Sequence, residues 1–214
     1  MGGGGGIPGR LSFRGPILVR TLPTPATPIP AASIMSLETL RAGHHDSVLD
    51  YARTAAALPE AAWQAALAPG KWSPEDITQH LWLTYSTALN ELEPDPRAPG
   101  RRIRPRVPRL LQPVFRLTVM RRILRDGRFP EGAKAPSELR PKAGAPGART
   151  LTPSMRGEAL SALTACAGRV EELLASRPGA RLSHHIFGRI GREDALRLLA
   201  AHNRHHQRQL SSPA

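Results

Sequence analysis

Near the end of the chain, the run Ala201-His202-Asn203-Arg204-His205-His206-Gln207-Arg208-Gln209 places two histidines four residues apart. On a helix, residues at that spacing stand one above the other on one face. His202 and His206 can therefore bring two imidazoles to one point. A third imidazole from another helix would complete a three-nitrogen set with a position left for water or substrate, the form a catalytic metal site takes. His80 is the candidate. It lies on the apolar stripe Ile77, Leu81, Thr84 and Ala88 of its own predicted helix, while Ala195, Leu198 and Leu199 carry the stripe that His202 and His206 continue. Buried imidazoles without hydrogen-bond partners are costly, and one shared cation would satisfy all three.

The neighbouring polar residues fall into place around that set. Gln209 follows His206 on the same face and is positioned to orient a ligand or a bound water. His205 points about 100° away from His206, which puts it beside the site or on the surface. His184 and His185 sit in a predicted loop that could cover the site. His44 and His45 read as surface or core-edge residues of the first helix, and Trp72 as a residue packing a loop against the second. Glu75 and Asp76 are explained by helix capping, so no carboxylate occupies the place that the glutamate holds between the histidines of zinc proteases.

The elements that must hold these residues are helical. Aromatics make up 4% of the chain and β-branched runs are nearly absent, which predicts an all-α domain. Leu37, Leu40, His44, Val48, Tyr51 and Ala55 mark a first helix over residues 36–58, closed by Pro59. Ser73-Pro74-Glu75-Asp76 is a helix start, with Ser73 as N-cap and acids in the first turn. The second helix runs over 74–92, the third over 153–176 and the fourth over 192–210. These predict a four-helix bundle with a long crossover, 97–150, between the second and third helices. Within the crossover, Leu110, Leu111, Val114, Leu117, Met120 and Leu124 alternate with arginines in a short amphipathic helix over 109–124. A solvated outer face over a packed inner one accounts for that pattern better than membrane-surface binding. Residues 129–149 read as a Pro/Gly-rich loop.

Composition bounds the rest. The net charge of +13 is concentrated in residues 97–149, which hold fifteen basic and three acidic residues. That segment has only Phe115 and Phe129 for base stacking, which argues against nucleic acid as a partner. The single cysteine, Cys166, excludes an internal disulfide and sits in a small-residue apolar run. No stretch is long enough for a transmembrane span, and a cytoplasmic location is expected. Residues 1–34, with a glycine run and clustered prolines, read as a disordered or over-called extension ahead of a natural start at Met35. A weak export or transit signal is the other reading of its Arg10, Arg14, Arg20 and short apolar patch.

Two stretches carry a resemblance. Lys71-Trp72-Ser73-Pro74-Glu75-Asp76-Ile77-Thr78-Gln79-His80-Leu81 resembles the start of the second helix in the DinB/YfiT-like superfamily of metalloenzymes. His202 to Gln209 is similar to that superfamily's last-helix pattern, His-x-x-x-His-x-x-Gln. The segment from His185 to Glu193 is similar to a less characterised branch with His-Pro-x-Phe-Gly before the final helix, and departs from it at Ile186, where proline is usual. The resemblance covers residues 35–211. It implies a four-helix bundle holding a divalent metal, zinc or nickel, on His80, His202 and His206. It also implies a small-molecule substrate and a low-molecular-weight thiol as co-substrate in an S-transferase, or a related hydrolase or isomerase. A non-catalytic metal-binding module and a basic nucleic-acid-binding protein are the alternatives. Nothing in the sequence opposes a homodimer.

Overall fold

A computed structural model describes residues 1–2, 35–94, 103–130, 134–141 and 153–211. The expectation for the N-terminal extension falls on residues 3–34, outside the described residues, as do parts of the crossover at 95–102, 131–133 and 142–152. The described chain is helical, with one small hairpin. In order it forms α1 (Leu37–Ala56), α2 (Glu60–Trp63), α3 (Pro74–Leu92), α4 (Gln112–Phe115), a π turn (Arg116–Met120), α5 (Arg121–Asp126), a 3-10 turn (Ser137–Leu139), α6 (Pro153–Ser176), β1 (Arg181–His184), β2 (Gly188–Gly191) and α7 (Arg192–Ser211).

The long helices start where local chemistry dictates. The Ser36 hydroxyl accepts the Thr39 N–H at 3.1 Å to open α1. At α3 a full capping box forms: Asp76 N–H donates to Ser73 Oγ, and Ser73 N–H to Asp76 Oδ2, both at 3.1 Å. Pro74 takes the first helical position, where its missing N–H costs nothing. This start sets the register that turns Ile77, His80 and Leu81 inward. Helix α1 packs along α7 and α6, and α3 along α6. Tyr51, Trp63, Ile77, Leu81, Leu163, Leu174 and Leu196 fill the shared core.

A chain of polar side chains crosses that core. The Asn203 amide donates to the Tyr85 hydroxyl at 2.8 Å and to Ser47 Oγ at 3.0 Å. Tyr85 OH in turn meets His44 Nε2 at 2.9 Å, and His44 Nδ1 meets Glu171 Oε2 at 2.8 Å. Four helices are thereby fixed in rotation about their axes, α7 among them. Burial acts to raise the Glu171 carboxyl, but the His44 hydrogen bond and charge prevail and hold it below the usual range. His44 is therefore a core residue, not a surface or edge one, whereas His45 is exposed.

Three further expectations need correction. The loop holding His184 and His185 is the turn of a hairpin, in which β1 and β2 pair antiparallel with Leu182 opposite Ile190, both buried. Gly188 closes the turn at a φ of +67°, and a Cβ there would collide with the Gln112 side chain. Second, the crossover helix begins at Gln112, passes through the π turn, and ends at Gly127, whose φ of +61° and N–H bond to Ile123 O (2.8 Å) cap it. Its apolar residues form two rows, not one. Phe115, Val119 and Ile123 face inward, whereas Leu110, Leu111, Val114 and Leu117 are 90%, 49%, 54% and 58% exposed. Four of the six residues assigned to a packed inner face therefore point outward. An α-helix drifts about 40° over four residues, and the wider π turn takes up that drift so that the inner row stays aligned. Third, the Pro/Gly-rich loop contains the 3-10 turn, with Leu139 buried.

The crossover is docked on the hairpin. Arg106 N–H donates to His185 O at 2.7 Å, and Arg116 Nε–H to Phe187 O at 2.6 Å. Among the described residues no helix is long and apolar enough to cross a membrane.

Candidate metal centre

Helix α3 presents His80 and α7 presents His202 and His206, and one ring nitrogen of each lies within 4.8 Å of the others. His202 Nε2 is 3.1 Å from His80 Nε2 and 3.1 Å from His206 Nε2. Two nitrogens bound tetrahedrally at about 2.0–2.1 Å to one zinc-sized ion stand about 3.3–3.4 Å apart, close to the spacing here. His80 and His206 are only 3% and 5% exposed.

The outer nitrogens decide which lone pairs face the centre. His80 Nδ1 lies 2.7 Å from Leu139 O, which can only accept, so Nδ1 carries the ring proton. His206 Nδ1 lies 2.7 Å from Gln209 Oε1, again an acceptor. Both Nε2 atoms are then bare lone pairs aimed at His202 Nε2. A proton on His202 Nε2 could be given squarely to only one of them, whereas a cation at the common point would satisfy all three. Burial pushes all three imidazoles below their ordinary pKa, and their neighbours' charges push His202 and His206 further. The three rings are therefore neutral at physiological pH, the state a metal requires.

The supporting residues are specific. Gln209 accepts from His206 and its amide nitrogen lies 3.3 Å from His205 Nε2. His205 does not point at the centre but lies against the Phe129 ring, 5.6 Å between centroids. Trp72 packs on His80 itself, 5.0 Å between rings, and not merely against the helix. Sequence reasoning missed the Leu139 carbonyl, because a backbone acceptor delivered from a 3-10 turn has no side-chain signature. Cys166 is half-buried on α6, 3.9 Å from Ser86 Oγ of α3, with its thiol pushed up in pKa by burial.

The three histidines open onto a cavity of about 1270 Å³ between α3, the crossover, the hairpin and α7. Its walls are largely apolar: Leu67, Trp72, Phe115, Ile123, Phe129 and Leu198. Lys71, Arg106, Lys134 and Arg140 also line it, against one described carboxylate, Glu91. That carboxylate is engaged by Ser183, whose N–H and hydroxyl donate to it at 2.8 and 2.7 Å.

His184 adds a polar group to the hairpin wall. Its Nδ1 accepts the backbone N–H of Ile186 at 3.2 Å and of Phe187 at 3.3 Å. The ring proton is thus held on Nε2. Burial, with His185 beside it, pushes its pKa down to about 3, so the ring stays neutral and remains a fixed N–H donor on the cavity. It stacks on Phe187, 4.4 Å and 14° between planes. Counted back from Phe187-Gly188, the histidine of a His-Pro-x-Phe-Gly pattern falls on His184, and its proline position on His185, not on Ile186. His185 lies alongside His184 with its rings 4.4 Å away, and its pKa is pushed down to about 4, mainly by burial.

A helical protein with a buried three-histidine cluster, its outer nitrogens anchored and an apolar cavity before it, is one class of answer. The chain belongs to the DinB superfamily: the family's model matches residues 46–210, a span that contains all three histidines. No curated protein and no solved structure matches the chain.

Proposed function

We propose that the chain is a metal-dependent enzyme in which His80, His202 and His206 hold one divalent ion, zinc or nickel, and that it transfers a low-molecular-weight thiol to, or hydrolyses or isomerises, a small-molecule substrate. The observation that carries this reading is the convergence of three Nε2 atoms whose Nδ1 partners are already fixed. When bound, such an ion supplies a Lewis acid that lowers the pKa of coordinated water or thiol. The chain's own residues do the rest. Leu139 O and Gln209 Oε1 hold two of the rings in the ligating tautomer. The apolar walls exclude bulk water and bury the body of a substrate. The His184 Nε2–H is a fixed donor for an anionic ligand on the cavity side. Lys71, Arg106, Lys134 and Arg140 favour substrates or thiols bearing carboxylates.

With Glu91 engaged elsewhere, the cavity offers no described carboxylate free to act as a general base, which favours a metal-activated nucleophile over protease-like chemistry. The cavity in front of the histidines favours an enzyme over a non-catalytic metal module. Four outward leucine and valine side chains among the crossover arginines are of no use to nucleic acid. A homodimer is compatible with this reading, as is a cytoplasmic location.

The test is elemental analysis of untagged protein beside the double variant His80→Ala/His202→Ala. One zinc or nickel per chain, lost in the variant, is the expected outcome. Metal-free wild-type protein that takes up neither ion on reconstitution would sink the proposal. Thiol consumption by the loaded protein, screened with electrophilic substrates, then separates transferase from module.

A further inference from the structure

Among the described residues, nothing covers the outer row of the crossover. Leu110, Leu111, Val114 and Leu117 fall within eight consecutive positions, and among the described residues between Met35 and the C-terminus only Met35, Leu49 and Trp82 are other large apolar side chains exposed to a comparable degree. The inner row of the crossover is already satisfied, since Phe115, Val119 and Ile123 line the cavity. The outer row therefore adds little to the packing of the described residues. Its surroundings are predominantly basic. Arg104, Arg109, Arg121, Arg122, Arg125 and Arg128 are exposed in the same stretch of chain, the described acid within it, Asp126, is paired with Arg122 and Arg125, and Glu138 accepts the Arg104 N–H.

Val114 and Leu117 stand on the helix and Leu110 and Leu111 in the turn that leads into it, and an apolar strip flanked by arginines is the pattern of a segment that lies in a membrane interface. The apolar side chains enter the acyl boundary and the cations meet anionic headgroups. Charge complementarity selects among occupants. A second copy of this chain docking by the same face would bring one set of arginines against another. A nucleic acid would match the charge but leave the leucines in water. We propose that the crossover face Leu110–Leu117 docks the protein on anionic lipid surfaces, with the arginines on headgroup phosphates and the apolar row below them. This does not depend on the metal or on the reaction.

The experiment is co-sedimentation of the full chain with phosphatidylcholine vesicles containing or lacking phosphatidylglycerol, over a salt series. The proposal expects binding only when phosphatidylglycerol is present, weakening as salt rises. Each arginine removed, in Arg121→Ser and Arg122→Ser, should lower vesicle affinity roughly fivefold, near 1 kcal/mol per cation. Val114→Ser and Leu117→Ser should each lower it on the order of tenfold, with helical circular dichroism and unfolding unchanged because both side chains are exposed. No sedimentation with either vesicle at low salt overturns the proposal. So does binding that the apolar substitutions leave intact, which would be adsorption by charge alone. A dimer in analytical ultracentrifugation that the same apolar substitutions dissociate would also overturn it, and assign the face to a second copy.

Discussion

Tyr85 and Tyr51 are both completely buried, yet removing their hydroxyls should cost very different amounts. In Tyr85→Phe, His44 Nε2 loses its partner at 2.9 Å, and Asn203 loses the acceptor at 2.8 Å while keeping Ser47 at 3.0 Å. Each buried polar group left unpaired costs about 1–3 kcal/mol. The gain from deleting an oxygen offsets part of this, leaving a net loss of about 2–4 kcal/mol. In Tyr51→Phe only the 2.7 Å contact to Thr78 Oγ1 goes, and Thr78 still donates to Pro74 O at 2.9 Å. Nothing but a lone pair is left unfilled, for about 0.5–1.5 kcal/mol. Chemical denaturation of both variants and the wild type, fitted with a common slope, measures the difference. Tyr85→Phe should also lower metal uptake, because the same chain of bonds fixes the rotation of α7 that aims His202 and His206 at His80. Equal losses in the two variants would refute the reasoning, since it would mean that the crossing network adds nothing beyond an isolated buried hydroxyl.

Gly188→Ala should destabilise the protein by about 2–3 kcal/mol, from the left-handed backbone and the displaced Gln112 side chain, whereas Gly168→Ala, with open space around it in α6, should stabilise it by about 0.5–1 kcal/mol; thermal unfolding of the pair reads the opposite signs. His184→Phe, in cobalt-loaded protein, should weaken azide binding roughly tenfold by removing a hydrogen bond to a charged ligand, while His184→Gln keeps an N–H donor and most of the affinity; visible titration separates them. Burial places the His184 pKa at about 3 when folded, below its ordinary value, so the unfolded chain binds the extra proton and stability is complete above about pH 6.5 and lost as pH falls. Between about pH 7 and pH 5.5 this residue alone should cost about 1 kcal/mol, and metal-free His184→Phe should show an acid limb shallower by that amount, with His185 and the three clustered histidines tilting the remainder in the same direction.

The part of this architecture that is periodic or capped is readable from residues alone. The His202–His206 spacing, the stripe carrying His80 and the Ser73–Asp76 capping box depend on local geometry, and the structure places all of them accordingly. What was not legible depends on distant partners. The His44–Glu171 bond joins residues 127 positions apart, and nothing in α1 distinguishes a core-edge histidine from one bridging three helices. The hairpin strands Arg181–His184 and Gly188–Gly191 hold one β-branched residue, Ile190, so propensity gave no signal and pairing is set by Leu182, Ile190 and the Gly188 turn. In the crossover two apolar rows are interleaved, and periodicity alone cannot say which one the rest of the molecule covers.

The division of labour between helices and crossover has a consequence for how such a protein can change over time. The three candidate ligands belong to α3 and α7, whose rotation is fixed by the core. The crossover, held to the hairpin by Arg106, Gln112 and Arg116, supplies the Leu139 carbonyl and a wall of the cavity. Substitutions along its inner row can therefore reshape the binding space without moving an imidazole, provided that one backbone oxygen stays in place. On the proposed reading, a lineage built this way can exchange substrates while the three histidines stay in place, because the wall that varies and the helices that carry the imidazoles are different segments.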